Sequence, residues 1–257
     1  MIFDTHAHLY DSKFGKDGEE VIKECFDNGV DMIMIPGDNI ENSKKAIELA
    51  NAFNNVYCSV GIHPSEVMEN DIFVSREILI DLAKNNKVKA IGEIGLDKYW
   101  VKDEKVIEKQ KEFFIMQIEV ANLLHLPIIV HDREAHMETY EIIKKHKPLY
   151  GGVIHCFSGS VEMMKLFVDL GFYIGIDGPV TYKNSIVPKE VCKEVPIERL
   201  VIETDSPYLP PVPMRGQVNY PFYLKYVIKK IAEIKNMKED EIESITFHNG
   251  KDLFGII

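Results

Sequence analysis

Two kinds of segment alternate along the chain, and this alternation constrains the fold more than any other feature of the sequence. Apolar runs rich in β-formers recur at intervals of roughly 20 to 35 residues. They span residues 2–8, 31–37, 56–63, 88–95, 127–132, 151–157, 172–178 and 200–205. Segments with helical periodicity lie between them, among them residues 41–53, 104–124, 160–171 and 219–234. Eight strands that alternate with helices predict an α/β fold of the (β/α)8 type, the TIM barrel.

The main alternative architecture is a doubly wound open sheet. Several of the runs are almost entirely apolar, as parallel strands buried on both faces are, and this fits either fold. However, no GxGxxG turn follows the first run and no P-loop occurs, so the usual nucleotide-binding signatures of open sheets are missing. The chain has no linker, and its length of 257 residues suits one barrel. We therefore predict a single domain over residues 1–257, with residues 206–220 as an ordered loop after the eighth strand.

Charge and cysteine content limit the classes of function. The formal net charge of −11 would repel a polyanion, although metal ions and a few arginines can reverse the potential inside one pocket. The four cysteines contain no CxxC pair, which favours reduced, buried thiols in a cytoplasmic protein. No signal-peptide pattern and no apolar run of membrane-spanning length is present, so we expect neither secretion nor a membrane partner. A chain this long folds without a structural metal, so any metal would serve function.

Histidines and acidic residues stand at the ends of the predicted strands. In a barrel these carboxyl ends carry the chemistry. Residues two apart in a strand share a face, so His6 and His8 would point the same way, about 6.6 Å apart. The strand-end set comprises His6, His8, His63, Glu93, His131, His155 and Asp205. Any single histidine is more often a hydrogen-bonded core group, but so many together predict a metal site.

Six protein ligands exceed the needs of one catalytic ion. They suit two ions about 3.5–4 Å apart that share a bridging carboxylate and activate water. Glu93, on the fourth strand, is the natural bridge, and Asp205 would orient the water or accept its proton. The nitrogen and oxygen ligands suit Mg²⁺, Mn²⁺ or Zn²⁺ without deciding between them.

Seven motifs in register resemble the TatD family of metal-dependent deoxyribonucleases. They are FDTHAHL (3–9), GIHP (61–64), IGEIGLD (91–97), VHDREA (130–135), HCFSGS (155–160), IETDSPYL (202–209) and the RG…N of 215–219. The resemblance implies a two-metal barrel enzyme that hydrolyses DNA, commonly from the 3′ end of single strands. By position, one ion would be held by His6, His8, Glu93 and Asp205, and the other by Glu93, His131 and His155.

The resemblance also implies substrate contacts. His63 looks like a phosphate-contacting histidine, with a loop-capping role as the alternative. Arg133 is a candidate for a phosphate contact, with a solvated surface position as the alternative, and Arg215 is the better candidate, for a phosphate or backbone contact. The arginine fork can bind two phosphate oxygens. The chain departs from the family pattern at Lys98, where an aromatic residue is usual, and at Gln217, where a lysine is usual.

Three functions follow as hypotheses. The first is hydrolysis of DNA by a monomeric enzyme with single-stranded DNA as its partner. The second is hydrolysis of a small cyclic amide, lactone or phosphoester, because one barrel supports several chemistries. The third is a catalytically idle scaffold, which the complete ligand set disfavours.

Overall fold

The computed structural model describes all residues from Met1 to Ile257 and confirms the predicted (β/α)8 barrel. Eight parallel strands pair in chain order, each with the next. They are β1 (Phe3–Asp4), β2 (Met32–Ile35), β3 (Val56–Val60), β4 (Val88–Asp97), β5 (Ile128–Arg133), β6 (Gly152–Ile154), β7 (Tyr173–Ile176) and β8 (Leu200–Ile202). The barrel closes where the segments after β1 and β8 meet, through a parallel bridge between Ala7 and Ser206.

Most strands are shorter than the apolar runs that predict them. The clearest case is the first run, of which only Phe3 and Asp4 are regular strand. The chain beyond Asp4 still bonds to its neighbours, since the Ala7 N–H donates to the Met34 carbonyl and the His8 N–H donates to the Ser206 carbonyl. The side chains of His6 and His8 project from this irregular end of the first strand.

Nine helices surround the barrel. They are α1 (Gly18–Asp27), α2 (Ile40–Ala52), α3 (Ile72–Leu82), α4 (Glu104–Leu124), α5 (His136–His146), α6 (Val161–Asp169), α7 (Val187–Glu194), α8 (Leu224–Lys235) and α9 (Glu239–Leu253). Four of these helices begin at an acidic or amide cap: Asp17, Asn39, Asp71 and Asp103 each accept a hydrogen bond from a backbone N–H of the first turn. Helix α8 begins at Leu224 rather than at 219, because Pro221 opens a short 3₁₀ turn before it. None of the nine helices combines the length and apolarity that a bilayer crossing requires.

The barrel has an apolar end and a polar end. The main apolar core lies between the strands and the helices, and a smaller cluster fills the amino end of the barrel. There Phe3 packs against Phe247 and Phe254 of the C-terminal segment, with ring centroids 6.4 and 5.9 Å apart. Asn249 ties α9 to the barrel by donating to the carbonyls of Ile197 and Leu200. The opposite, carboxyl end is left open for polar side chains.

The long segment after β8 is an ordered loop, as predicted. Asn219 is fully buried, and its side-chain amide donates to the carbonyls of Thr204 and Tyr208, which holds the two ends of the loop together. The cysteines form no disulfide, and Cys25, Cys58 and Cys192 are buried as expected. The fourth, Cys156, departs from the expectation of a buried apolar residue: it is half-buried next to the polar end of the barrel.

Candidate active site

The carboxyl end of the barrel brings the predicted ligand residues together. His6 and His8 follow β1, Glu93 lies within β4, and His131 lies within β5. His155 and Asp205 follow β6 and β8. The side chains of His6 and His8 point to the same place, as their spacing predicts, with 3.1 Å between their Nε2 atoms.

Glu93 lies between two groups of histidines, and each of its carboxylate oxygens faces one group. On one side, Oε2 is 3.3 Å from Nε2 of His6 and 3.7 Å from Nε2 of His8. On the other side, Oε1 is 2.7 Å from Nδ1 of His131 and 3.5 Å from Nε2 of His155. Asp205 joins the first group, with Oδ1 3.4 Å from Nε2 of His8. A carboxylate whose two oxygens face two different histidine groups is suited to bridge two cations.

Both carboxylates are ionised despite their burial. Burial alone would raise the pKa of Glu93, but the neighbouring His155, His6 and His63 and the hydrogen bond from His131 hold that pKa well below its ordinary value. Burial opposes ionisation of Asp205 as well, and the neighbouring imidazoles of His8 and His155 lower its pKa. The site therefore presents two negative charges to a bound ion.

A tyrosine sets the tautomer of His8. The Tyr10 hydroxyl donates to the Pro36 carbonyl at 2.9 Å, so it can only accept from Nδ1 of His8, which is also 2.9 Å away. The ring proton of neutral His8 is therefore on Nδ1, and the lone pair of Nε2 points at Glu93 and Asp205. This lone pair and the two carboxylate oxygens are suited to bind a cation.

Sequence reasoning missed Asp97, which orients His131. Asp97 is buried, and its Oδ2 lies 3.2 Å from Nε2 of His131. Its Oδ1 accepts from the backbone N–H groups of Tyr99 and Trp100. Burial would lower the pKa of His131, but the hydrogen bonds to Asp97 and Glu93 outweigh it and raise the pKa to about 9. A ring flanked by carboxylates at both nitrogens must carry an extra proton or bind a metal ion.

Glu203 is a second residue that sequence reasoning missed, and it orients His155 as Asp97 orients His131. Its side chain is fully buried, and Oε1 is 3.0 Å from Nδ1 of His155. Burial is again outweighed: Glu203 and Glu93 raise the pKa of His155 to about 10. The signal was present in the sequence, since Glu203 is an acidic residue that interrupts an apolar run and shares a strand face with Asp205. A carboxylate that accepts a hydrogen bond from the second ring nitrogen of a metal-ligating histidine typically fixes the tautomer and the orientation of that ring.

The residues fit divalent metal ions. The donor set consists of imidazole nitrogens and carboxylate oxygens, whose lone pairs converge on both faces of Glu93. Nδ1 of fully buried His6 has no hydrogen-bond partner, so only its Nε2 side is engaged by the site. Groups of potential ligand atoms within 4.8 Å of one another include His6 with His8 and Glu93, and His63 with Glu93 and His131.

His63 faces the same site from the end of β3. The Ser65 backbone N–H donates to its Nδ1 at 3.1 Å, so the proton of the neutral ring lies on Nε2, 3.7 Å from Oε1 of Glu93. Burial, reinforced by His131, lowers the pKa of His63 to about 3, which keeps the ring neutral. In this tautomer His63 is a hydrogen-bond donor toward the cleft and not a metal ligand, although it also caps the following turn.

The predicted arginines lie outside the metal cleft. The cleft has a volume of about 670 Å³ and is lined by residues that include Asp11, Asp38, Asp97, Glu93 and Asp205. Lys45 is its one lysine or arginine. Arg215 is exposed and stacks on Tyr182, with 4.0 Å between its guanidinium carbon and the ring centroid. Arg133 lines a neighbouring cavity together with Lys98.

Comparisons with known proteins identify the family of this chain. The family model described as "TatD related DNase" matches residues 3–255. An uncharacterized metal-dependent hydrolase, YabD, from Bacillus subtilis is 43% identical over the full length of both chains. The protein named 3′-5′ ssDNA/RNA exonuclease TatD from Shigella flexneri is 33% identical and is matched over 99% of both chains. The crystal structure of the TatD homolog YJJV from Escherichia coli superposes with a TM-score of 0.93 at 31% identity, covering 100% of this chain and 98% of that one. The chain belongs to the TatD-related DNase family.

Proposed function

We propose that this protein is a metal-dependent hydrolase that removes nucleotides from the 3′ ends of single-stranded DNA with two divalent ions. One observation carries the proposal: the two oxygens of Glu93 face two separate histidine groups. A related protein from Shigella flexneri is named as a 3′-5′ exonuclease, which supports the substrate and the polarity. The wider activity, metal-dependent hydrolysis, is also the name given to the relative from Bacillus subtilis.

The chain supplies ligands and a proton acceptor. His6, His8, Glu93, His131, His155 and Asp205 would hold the ions. When bound, the ions would supply Lewis-acid stabilisation of charge on the phosphate and a lowered pKa for water. Asp205 is ionised and has 16% of its side chain exposed to the cleft, so we infer that it accepts the proton of the attacking water. The new bond joins the water oxygen to phosphorus, the bond from phosphorus to the 3′ oxygen breaks, and that oxygen takes a proton from solvent.

His63 would act on the substrate itself. Its Nε2–H points into the cleft, where it can donate to a non-bridging phosphate oxygen. Because the ring stays neutral, this contact does not repel the bound ions as an imidazolium would. The sequence-based role of His63 in phosphate binding therefore remains our proposal, now supported by its tautomer.

The negative charge of the cleft favours a second candidate substrate, a small phosphoester. Apart from the proposed ligands, the wall offers Asp11 and Asp38 but only one lysine or arginine, Lys45, whose Nζ is 2.7 Å from Glu41. An acidic wall disfavours a long polyanion inside the cleft. A volume of about 670 Å³ is nevertheless suited to one terminal nucleotide or to a small ester.

The decisive experiment follows the release of nucleotides. Chelator-treated protein is resupplied with Mg²⁺, Mn²⁺ or Zn²⁺ and given a single-stranded oligonucleotide labelled at the 3′ or the 5′ end. The Glu93→Gln variant removes the bridging charge, and Glu48→Gln, at an exposed glutamate on α2 without an ion pair, is the matched control. We expect stepwise shortening from the 3′ end by the wild type and by the control, and none by Glu93→Gln.

Two results would point elsewhere. Shortening from the 5′ end would contradict the proposed polarity. An inactive wild type that still hydrolyses a chromogenic phosphoester, with loss of that activity in Glu93→Gln, would contradict DNA as substrate and favour the small phosphoester.

A further inference from the structure

A second cavity opens on the same face of the barrel as the metal cleft. Its volume is about 760 Å³, and its wall includes Lys98, Arg133, His136, Ser158 and Met163. Lys98 directly follows β4 and Arg133 ends β5, so the cavity borders the carboxyl ends of the strands that carry Glu93 and His131. The reaction derived above makes no use of this cavity.

The cavity is more basic than the cleft. Glu138 pairs with Lys98 at 2.6 Å, and its other carboxylate oxygen is 3.2 Å from Lys111, which lies outside the cavity and also pairs with Glu108 at 2.7 Å. Arg133 forms no ion pair, and its guanidinium rests on the ring of Tyr99 at 5.0 Å from the centroid. The exposed carboxylate of Glu134 is the remaining acidic group in the wall. The formal charges of the lining therefore cancel, two positive against two negative, whereas the wall of the cleft carries five carboxylates and one lysine.

His136 adds a donor to the cavity. Its Nδ1 is held at 2.8 Å by Oδ2 of Asp132, a buried carboxylate. This hydrogen bond raises the pKa of His136. Because Nδ1 is engaged, Nε2 is the nitrogen left to serve a ligand. Arg133 and His136 together offer the donors that a phosphate requires.

Two aromatic side chains, Tyr99 and Trp100, lie between Arg133 and the metal cleft. Arg133 stacks on Tyr99, and Tyr99 meets Trp100 edge to face, with 4.7 Å between ring centroids and 89° between ring planes. Trp100 lines the metal cleft and is 78% exposed. An exposed indole can stack on a base whatever its identity. A single strand whose end lies in the cleft could therefore pass over Trp100 towards Arg133.

We propose that this cavity is a second phosphate subsite, which binds a phosphodiester of the substrate strand upstream of the bond that is cut. The inference rests on the proposed function, because it assumes a DNA strand as substrate. It explains how an acidic cleft accommodates one end of a polyanion, since the rest of the strand is held outside the cleft by Arg133, Lys98 and His136. In this proposal Arg133, predicted from the sequence as a phosphate contact, binds the upstream phosphodiester.

The test measures binding of oligothymidylates to the full-length, Mg²⁺-loaded protein by fluorescence anisotropy. The strands carry a phosphorothioate at the terminal linkage, which slows cleavage, and a neutral methylphosphonate is placed at each inner linkage in turn. The variant is Arg133→Ala, and the matched control is Arg76→Ala on α3. Arg133→Lys keeps the charge but removes the planar fork.

We expect Arg133→Ala to weaken binding of a six-nucleotide strand by about tenfold or more, the usual effect of losing a charge-assisted phosphate contact. Arg76→Ala should bind like the wild type, and Arg133→Lys should lie between them. One methylphosphonate position should weaken binding to the wild type and leave binding to Arg133→Ala unchanged. The slope of log affinity against log salt should become shallower by about 0.7 in Arg133→Ala, as expected for one phosphate contact on a single strand.

Two results would overturn the subsite. Equal binding of the strand by Arg133→Ala and Arg76→Ala would do so, as would a wild type that binds long strands no better than thymidine 5′-phosphate. The outcome is separable from that of the proposed function, because binding is measured without turnover. If the Arg133 effect is present but no nucleotide is ever released, the subsite holds and the exonuclease activity fails.

Discussion

The replacement of Asp97 by asparagine should reduce metal affinity although Asp97 is not placed to bind a metal. In the wild type, Oδ1 accepts from the backbone N–H groups of Tyr99 and Trp100, at 2.9 and 2.8 Å. An asparagine must keep its oxygen on that side, so its NH₂ group faces Nε2 of His131, where Oδ2 now lies at 3.2 Å. The ring is then forced to place its proton on Nδ1, 2.7 Å from Oε1 of Glu93. That is the nitrogen whose lone pair an ion would need.

The magnitude follows from the supporting role of Asp97. Loss of such a partner behind a histidine ligand lowers metal affinity by about 10- to 100-fold, or about 1.4–2.7 kcal/mol. The assay is competition for Zn²⁺ with a chromogenic chelator. Asp132→Asn is the matched control, because it alters another buried aspartate–histidine pair, the one with His136, outside the ligand set. A Zn²⁺ affinity of Asp97→Asn within twofold of that control would refute the reasoning.

Three further predictions concern the same site and the strand beside it. At pH 7 the metal-free protein holds protons on His131 (pKa about 9) and His155 (pKa about 10), so metal binding should release about two protons per chain. Apparent affinity should therefore fall about a hundredfold per pH unit from pH 8 to 7, and calorimetry in buffers of different ionisation enthalpy checks the proton count; a count near zero would contradict it. Tyr10→Phe, which frees Nδ1 of His8, should weaken metal binding about tenfold with little change in melting temperature; unchanged affinity in the chelator assay would contradict this role. Gly95→Ala should lower stability by about 3 kcal/mol or more, because φ is +143° and a Cβ would lie 2.0 Å from the His131 carbonyl oxygen; a melting temperature within 2 °C of the wild type would contradict the packing argument.

The barrel could be predicted from the sequence because the apolar runs and the helical segments alternate with little interruption. The polar residues that mattered most, such as His6 and Glu93, stood out because they end or interrupt apolar strands. Strand lengths were less predictable. Only Phe3 and Asp4 of the first run are regular strand, since bonds to Met34 and Ser206, far away in the sequence, replace the regular ladder.

The supporting carboxylates show where sequence reasoning ends. Asp97 lies in the same strand as Glu93, and Glu203 lies in the same apolar run as Asp205. Composition does not distinguish a ligand from the residue that hydrogen-bonds to a ligand. Their roles depend on which atom of each histidine they contact, and this is fixed by packing across the barrel. Arg133 illustrates the converse: its strand-end position is evident in the sequence, but only the fold shows that it faces the neighbouring cavity and not the cleft.

The central claim is that Glu93 joins two metal ions, one on each side of its carboxylate. The most direct measurement is anomalous diffraction from crystals of the wild type and of Glu93→Gln equilibrated with Mn²⁺ or Zn²⁺. The account predicts two peaks in the wild type about 3.5–4 Å apart, one beside His6 and His8 and the other beside His131 and His155. A single peak, or two peaks that both lie on one side of Glu93, would contradict it.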